Sequence, residues 1–215
     1  MLAIGSSSTA GIGASDQAHT YPEQLEVDVE ERAGIEVEVD NAGVSGETAD
    51  QTITRLERAI AAGGHELVIW QVGTNDAVRG GDIAAFRAEL QRGIEAAKHA
   101  AVRLVLLNQQ FYPGVAKNQE RYEAYVHAVD VLGAENRVPV FSRYALMKGW
   151  SATDGLLLGM LSSDHFHVND RGYGCIAAAL ADRIADIVPR PAVATAPAAP
   201  SAPTAPFVPV AVSGK

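Results

Sequence analysis

The sequence predicts an α/β fold in which a parallel sheet is covered by helices on both faces. Three observations lead there. Short apolar runs recur along residues 1–188, and a stretch of helical periodicity separates each from the next. The runs are too short for helices, and their alternation with helical patterns is that of strand–helix–strand units. The chain has 215 residues, 47% of them hydrophobic, enough for one sizeable core and too few for two comfortable domains.

In chain order the strand candidates are Leu2–Ile4, Ile35–Val39, Leu67–Gln71, Leu104–Leu107 and Val138–Phe141. The helical patterns run over Tyr21–Arg32, Thr48–Ala62, Asp82–His99, Gln119–Leu132 and Asp170–Ile187. Thr48 and Asp82 stand where N-caps belong, and Gly63-Gly64 stops the second helix. From Pro189 the composition shifts to Pro, Ala, Val, Ser and Thr, with no periodic apolar face. Residues 189–215 therefore read as a flexible tail or linker after a domain spanning 1–188.

The net charge of −9 argues against nucleic acid or an anionic membrane as the main partner. It suits an enzyme acting on neutral or cationic small molecules. The one cysteine, Cys175, cannot form an internal disulfide, and its Ala-rich setting reads as core. No stretch approaches a membrane span, and the N-terminus lacks the layout of a signal peptide. The expectation is a cytoplasmic protein, or an exported one if an upstream segment is missing.

In parallel sheets, ligands bind beyond the carboxyl ends of the strands, so the loops there hold the candidate chemistry. After the first strand, Gly5-Ser6-Ser7-Ser8-Thr9 can hold a serine hydroxyl at a helix start, and it also reads as a plain helix cap. After the second, Asn41-Ala42-Gly43-Val44-Ser45-Gly46 can aim the Gly46 N–H into a cleft or be an ordinary connection. After the third, the Asn75 amide of Gly73-Thr74-Asn75-Asp76 can donate to a developing negative charge or belong to a turn. After the fourth, residues 108–114 are polar and aromatic, and the apolar run Gly155–Leu161 lies near the last loop. Either can line a substrate pocket or simply pack.

Before the last helix, Asp164 and His167 are three residues apart in Asp164-His165-Phe166-His167. On one tight turn a carboxylate can fix the tautomer of an imidazole acting as general base. A metal site from Asp164, His165 and His167 is the competing reading, and it lacks an obvious fourth ligand.

Taken in order, Gly-Ser-Ser-Ser-Thr, Asn-Ala-Gly-Val-Ser-Gly-Glu-Thr, Gly-Thr-Asn-Asp and Asp-His-Phe-His resemble the four blocks of the SGNH (GDSL-type) hydrolase superfamily. The resemblance covers residues 2–188 and implies a flavodoxin-like three-layer α/β/α sandwich with a five-stranded parallel sheet. It implies Ser7 as nucleophile, His167 as general base and Asp164 as its orienting partner. The oxyanion hole it implies consists of the Ser7 N–H, the Gly46 N–H and the Asn75 side-chain amide, with no metal or organic cofactor. The expected activity is hydrolysis of small acyl esters, O-acetylated carbohydrate included. A thioesterase, an acyltransferase and a non-catalytic binding module on the same fold are the alternatives. The departure from the pattern is Ser6, where the superfamily carries an aspartate that shapes the nucleophile loop. A serine there is expected to accept a loop hydrogen bond without charge.

Overall fold

The computed structural model describes residues 1–188; the proposed tail, 189–215, lies outside the described residues. Five strands form one parallel sheet in the order β2-β1-β3-β4-β5: β1 (Leu2–Gly5), β2 (Asp40–Gly43), β3 (Leu67–Gln71), β4 (Arg103–Leu107) and β5 (Val140–Phe141). Successive strand residues face opposite ways, and both faces are apolar. Leu2, Ile4, Val68, Trp70, Leu104 and Leu106 pack against α3 (Ala49–Ala62), α5 (Ile83–His99) and α6 (Gln119–Asn136). Ala3, Leu67, Ile69, Val105 and Leu107 pack against α2 (Tyr21–Ala33) and α9 (Asp170–Ala185). This is the three-layer sandwich that the sequence resemblance implies. Each fully buried aliphatic side chain in these layers contributes about 1.5–3 kcal/mol relative to exposure.

Helix starts follow local chemistry. Asp82 Oδ1 accepts the Ala84 N–H (2.8 Å), and Asn169 Oδ1 accepts the Gly172 N–H (3.2 Å). Both satisfy amides that a first helical turn leaves without partners.

Two strands differ from the sequence expectation. Ile35–Val39 is irregular, and the strand is Asp40–Gly43 instead. The register sets Leu2 opposite Asp40, so residues 35–39 extend past the end of β1, where no strand meets them. Val39 is nonetheless buried, while Ile35 and Val37 rest against the core, which accounts for their apolar character. The fifth strand begins at Val140 rather than Val138, because Pro139 has no N–H to give to a ladder and only its carbonyl pairs, with the Leu106 N–H.

The helix start expected after β1 is α1 (Ser7–Ala10), and three short helices went unread in the sequence: α4 (Thr74–Arg79), α7 (Arg143–Trp150) and α8 (Leu156–Gly159). Each has fewer than three turns, too short to show a periodic face. Cys175 is only partly buried on α9, against the expected buried core position.

The sheet and α1 meet at a glycine. A Cβ on Gly43 would lie 2.1 Å from the Ala10 backbone nitrogen, so the end of β2 can approach α1 only without a side chain. Gly43→Ala is expected to cost about 1–3 kcal/mol through the overpacking it forces and to lower activity by displacing α1. Urea denaturation and an ester assay on the variant check this.

Candidate active site

The residues singled out after the strands converge at the carboxyl end of the sheet. Ser7 opens α1 directly after β1 and is buried. Its Oγ lies 3.0 Å from His167 Nε2, and His167 Nδ1 lies 2.6 Å from Asp164 Oδ2. The three side chains thus form a continuous hydrogen-bonded chain across a sequence separation of 160 residues between serine and histidine.

The histidine and aspartate sit on a tight loop closed by the antiparallel bridge of Leu161 to Val168. The Ser162 N–H donates to the His167 carbonyl (2.7 Å), and His165 turns the chain with φ +55°. Histidine is among the non-glycine residues that adopt this left-handed conformation more readily than most, and Asp164 and His167 meet across the turn. Asn169 secures the base of the loop, donating to the carbonyls of Gly159 and Leu161 (3.0 Å each).

Asp164 is saturated with donors. Its Oδ1 accepts from Ser162 Oγ (2.7 Å) and from the backbone N–H groups of Phe166 and His167 (2.9 Å each). Burial alone would raise its pKa, but the hydrogen bonds from Ser162, the His167 ring and the two amides outweigh it and hold the carboxyl well below its ordinary value. Asp164 is therefore ionised wherever His167 can act as a base.

His165, the third member of the rival metal reading, is exposed on this loop. Among the described residues, no three His, Cys, Asp or Glu side chains gather as a metal-binding group.

In the loop after β2, Gly46 has φ +84°, a conformation that glycine adopts without strain. Arg79 donates to the Gly46 carbonyl (2.7 Å), fixing the peptide from one side. The Asn75 side-chain nitrogen donates one hydrogen to the Glu47 carbonyl (2.7 Å), which leaves its second hydrogen for another acceptor. The Ser7 N–H, at the first position of a helix, has no intrahelical acceptor. The glycine block is itself pinned: Glu47 pairs with Arg55, which also donates to the Ala42 carbonyl (2.9 Å). Asp76 Oδ1 accepts the Ala49 N–H (3.1 Å) and ties α4 to the start of α3. Burial holds the Asp76 carboxyl above its ordinary value despite that hydrogen bond.

The structure answers how Ser6 replaces an aspartate, and it corrects the expected direction of the bond. Ser6 donates rather than accepts. Its N–H and Oγ both go to Gln71 Oε1, at 2.8 and 3.1 Å, and Thr9 Oγ1 donates to the same oxygen at 3.2 Å. Thr9 in turn receives the Tyr21 hydroxyl (3.0 Å), whose pKa burial pushes up to about 12, so the phenol keeps its proton. Gln71 ends β3, and sequence reasoning passed over it. The signal was a polar residue closing the apolar run Leu-Val-Ile-Trp, in a strand buried on both faces.

The two proposed pocket walls prove partly structural. Asn108, Gln109 and Gln110 are fully buried, and only residues 111–114 of that loop reach the surface. Tyr112 meets Phe166 edge-on at 4.7 Å, and Phe166 meets the His167 ring at 4.8 Å. In the Gly155–Leu161 run, Leu157, Met160 and Leu161 are buried and Leu158 is exposed.

Sheet order and layers are those of the SGNH hydrolase fold. The chain matches the non-GDSL lipase-like family over residues 1–190 and belongs to it, among the esterase- and lipase-type hydrolases. Among solved structures it is similar to the lipase/acylhydrolase from Enterococcus faecalis, with 24% identity over 88% of this chain and 97% of that one and a TM-score of 0.73. It is similar to TesA, with 20% identity over 87% and 98% and a TM-score of 0.74. It is also similar to AlinE4, an SGNH-hydrolase family esterase, with 25% identity over 87% and 95% and a TM-score of 0.63. No curated protein matches the chain. No helix among the described residues is long and apolar enough to cross a membrane.

Two outcomes follow from the site's interactions. Gln71→Leu strands three buried donors, each costing about 1–3 kcal/mol when unsatisfied. It is expected to lower the urea midpoint and to loosen Ser7, seen as a fall in turnover. The depressed Asp164 pKa stabilises the fold above the ordinary carboxyl value of 3.8, and that contribution is lost as pH falls below it. The stability gap between the wild type and Asp164→Asn is therefore expected to close as pH falls through and below the ordinary carboxyl value, as read by urea unfolding at each pH.

Proposed function

We propose that this protein is a serine-dependent carboxylic ester hydrolase acting through an acyl-enzyme on small acyl esters, with O-acetylated carbohydrate among the candidate substrates. The observation that carries the reading is the hydrogen-bonded chain Ser7–His167–Asp164, with contacts of 3.0 and 2.6 Å. Membership of a lipase-like family supports it, as does similarity to AlinE4, an SGNH-hydrolase family esterase.

In this reading His167 Nε2 takes the Ser7 proton as Oγ attacks the acyl carbon. Asp164, ionised and held by Ser162 and two backbone amides, fixes the tautomer with Nδ1–H toward itself and stabilises the imidazolium that forms. The negative charge on the acyl oxygen meets the Ser7 N–H, the Gly46 N–H and the free hydrogen of the Asn75 amide. The imidazolium protonates the departing alcohol, and the same histidine then activates the water that frees the acid. No step calls on a metal or an organic cofactor. Thioesters present the same acyl carbon to the same groups.

Hydrolysis of p-nitrophenyl acetate is expected to fall by about 10²–10³ in Asn75→Ala and further in Ser7→Ala. Wild-type turnover in Ser7→Ala would overturn the assignment. A panel of esters and thioesters varied in acyl length and alcohol type, run on the wild type beside Ser7→Ala, defines the substrate class.

A further inference from the structure

Gln110 takes no part in the chemistry above, yet every polar group it carries is engaged. It follows β4 and is 1% exposed. Its Nε2 donates to the Phe166 carbonyl (2.8 Å), next to His167 in sequence. A carbonyl can only accept, so this bond fixes the amide orientation and turns Oε1 toward Ser8 Oγ, which donates to it at 3.2 Å. Ser8 follows the nucleophile. The Gln110 N–H reaches Thr74 Oγ1 (3.4 Å), beside Asn75, and its carbonyl accepts the Tyr122 hydroxyl (2.7 Å). One residue thus touches the immediate neighbours of Ser7, Asn75 and His167, which come from three separate loops.

We propose that Gln110 is a positioning residue: its side-chain amide bridges the nucleophile helix to the histidine loop and sets the Ser7 Oγ to His167 Nε2 distance. Each loop also has anchors of its own, and the segments that follow them are joined by Tyr173 to the Ile12 carbonyl and by Ser15 to Asp170. The nucleophile loop hangs from Gln71 on β3. The histidine loop is closed on itself by Asp164, Asn169 and the Leu161–Val168 bridge. Besides the Ser7–His167 contact itself, the Gln110 amide is a direct polar link between the two. Misplacement of reacting groups by about 1 Å can cost on the order of 10²-fold in rate, so losing this link acts on turnover rather than on substrate affinity.

The inference rests on the ester-hydrolase reading, and the experiment separates the two. In Gln110→Met, which keeps length and removes both bonds, kcat on p-nitrophenyl acetate is expected to fall about 10–100-fold with KM changed less than about threefold. Fluorophosphonate labelling of Ser7 is expected to slow in parallel, and the downfield His167 Nδ1–H proton resonance to shift or broaden. A folded variant with kcat near the wild-type value and an unchanged resonance overturns the proposal, whatever its melting temperature. If Gln110→Met does not fold, Ser8→Ala, which removes one end of the bridge, decides. A severalfold loss of kcat at constant KM supports the proposal, and wild-type kcat overturns it. Wild-type protein that hydrolyses no ester in a Ser7-dependent way sinks the hydrolase reading instead, while the His167 resonance still reads the bridge.

Discussion

A single amide oxygen organises the start of this fold. Gln71 Oε1 lies at the end of the central strand β3 and collects Ser6 N–H, Ser6 Oγ and Thr9 Oγ1, with Tyr21 behind Thr9. The chain leaves β1 and turns at once into a helix of only four residues, and such a turn has little intrinsic stability. Its hold on the sheet comes from this oxygen and from the close approach that Gly43 permits. The network is neutral throughout. A buried amide that satisfies donors avoids the desolvation a carboxylate would incur in the same place. The serine at position 6 and the glutamine at position 71 are thus two halves of one solution, and a serine alone would leave its donors without an acceptor.

The opposite side of the site uses charge. Asp164 is ionised, but it is met by a hydroxyl, an imidazole and two backbone amides rather than by a cation. Hydrogen bonds to the charged form hold the pKa down without an arginine nearby. The loop therefore carries its own electrostatic environment in a few consecutive residues, and the rest of the protein has only to bring it to Ser7. Packing of α2 against α9 and the bond from Tyr173 to the Ile12 carbonyl (2.7 Å) do this, together with Ser15, whose N–H and hydroxyl both donate to Asp170.

The layers and most helix ends were legible because their signals are local: apolar runs, an Asp or Thr before a periodic stretch, glycines after it. Gly46, Asn75, Asp164 and His167 drew notice by standing at a strand end or in the last loop, and the family resemblance gave them roles and picked Ser7 from three consecutive serines. The glutamines did not. Gln71 acts on residues about sixty positions away and Gln110 on residues up to 102 away, and nothing in a linear pattern marks such partners. The second strand was misplaced for a related reason. Ile35 to Val39 has the composition of a strand, but pairing is decided by where β1 lies, a fact of register rather than of composition.

The separation of Ser7 from His167 by 160 residues has a consequence for biosynthesis. Ser7 is made first, and Asp164 and His167 arrive with the loop before α9. As the chain is synthesised from its N-terminus, β1, α1 and four further strands can emerge while Ser7 still lacks His167. The hydroxyl gains its histidine only when α9 docks on α2. A nascent chain, or one that stops before His167, therefore lacks the Ser7–His167 bond, and under the proposed function reactivity at Ser7 reports completion of the whole sandwich rather than folding of its first half.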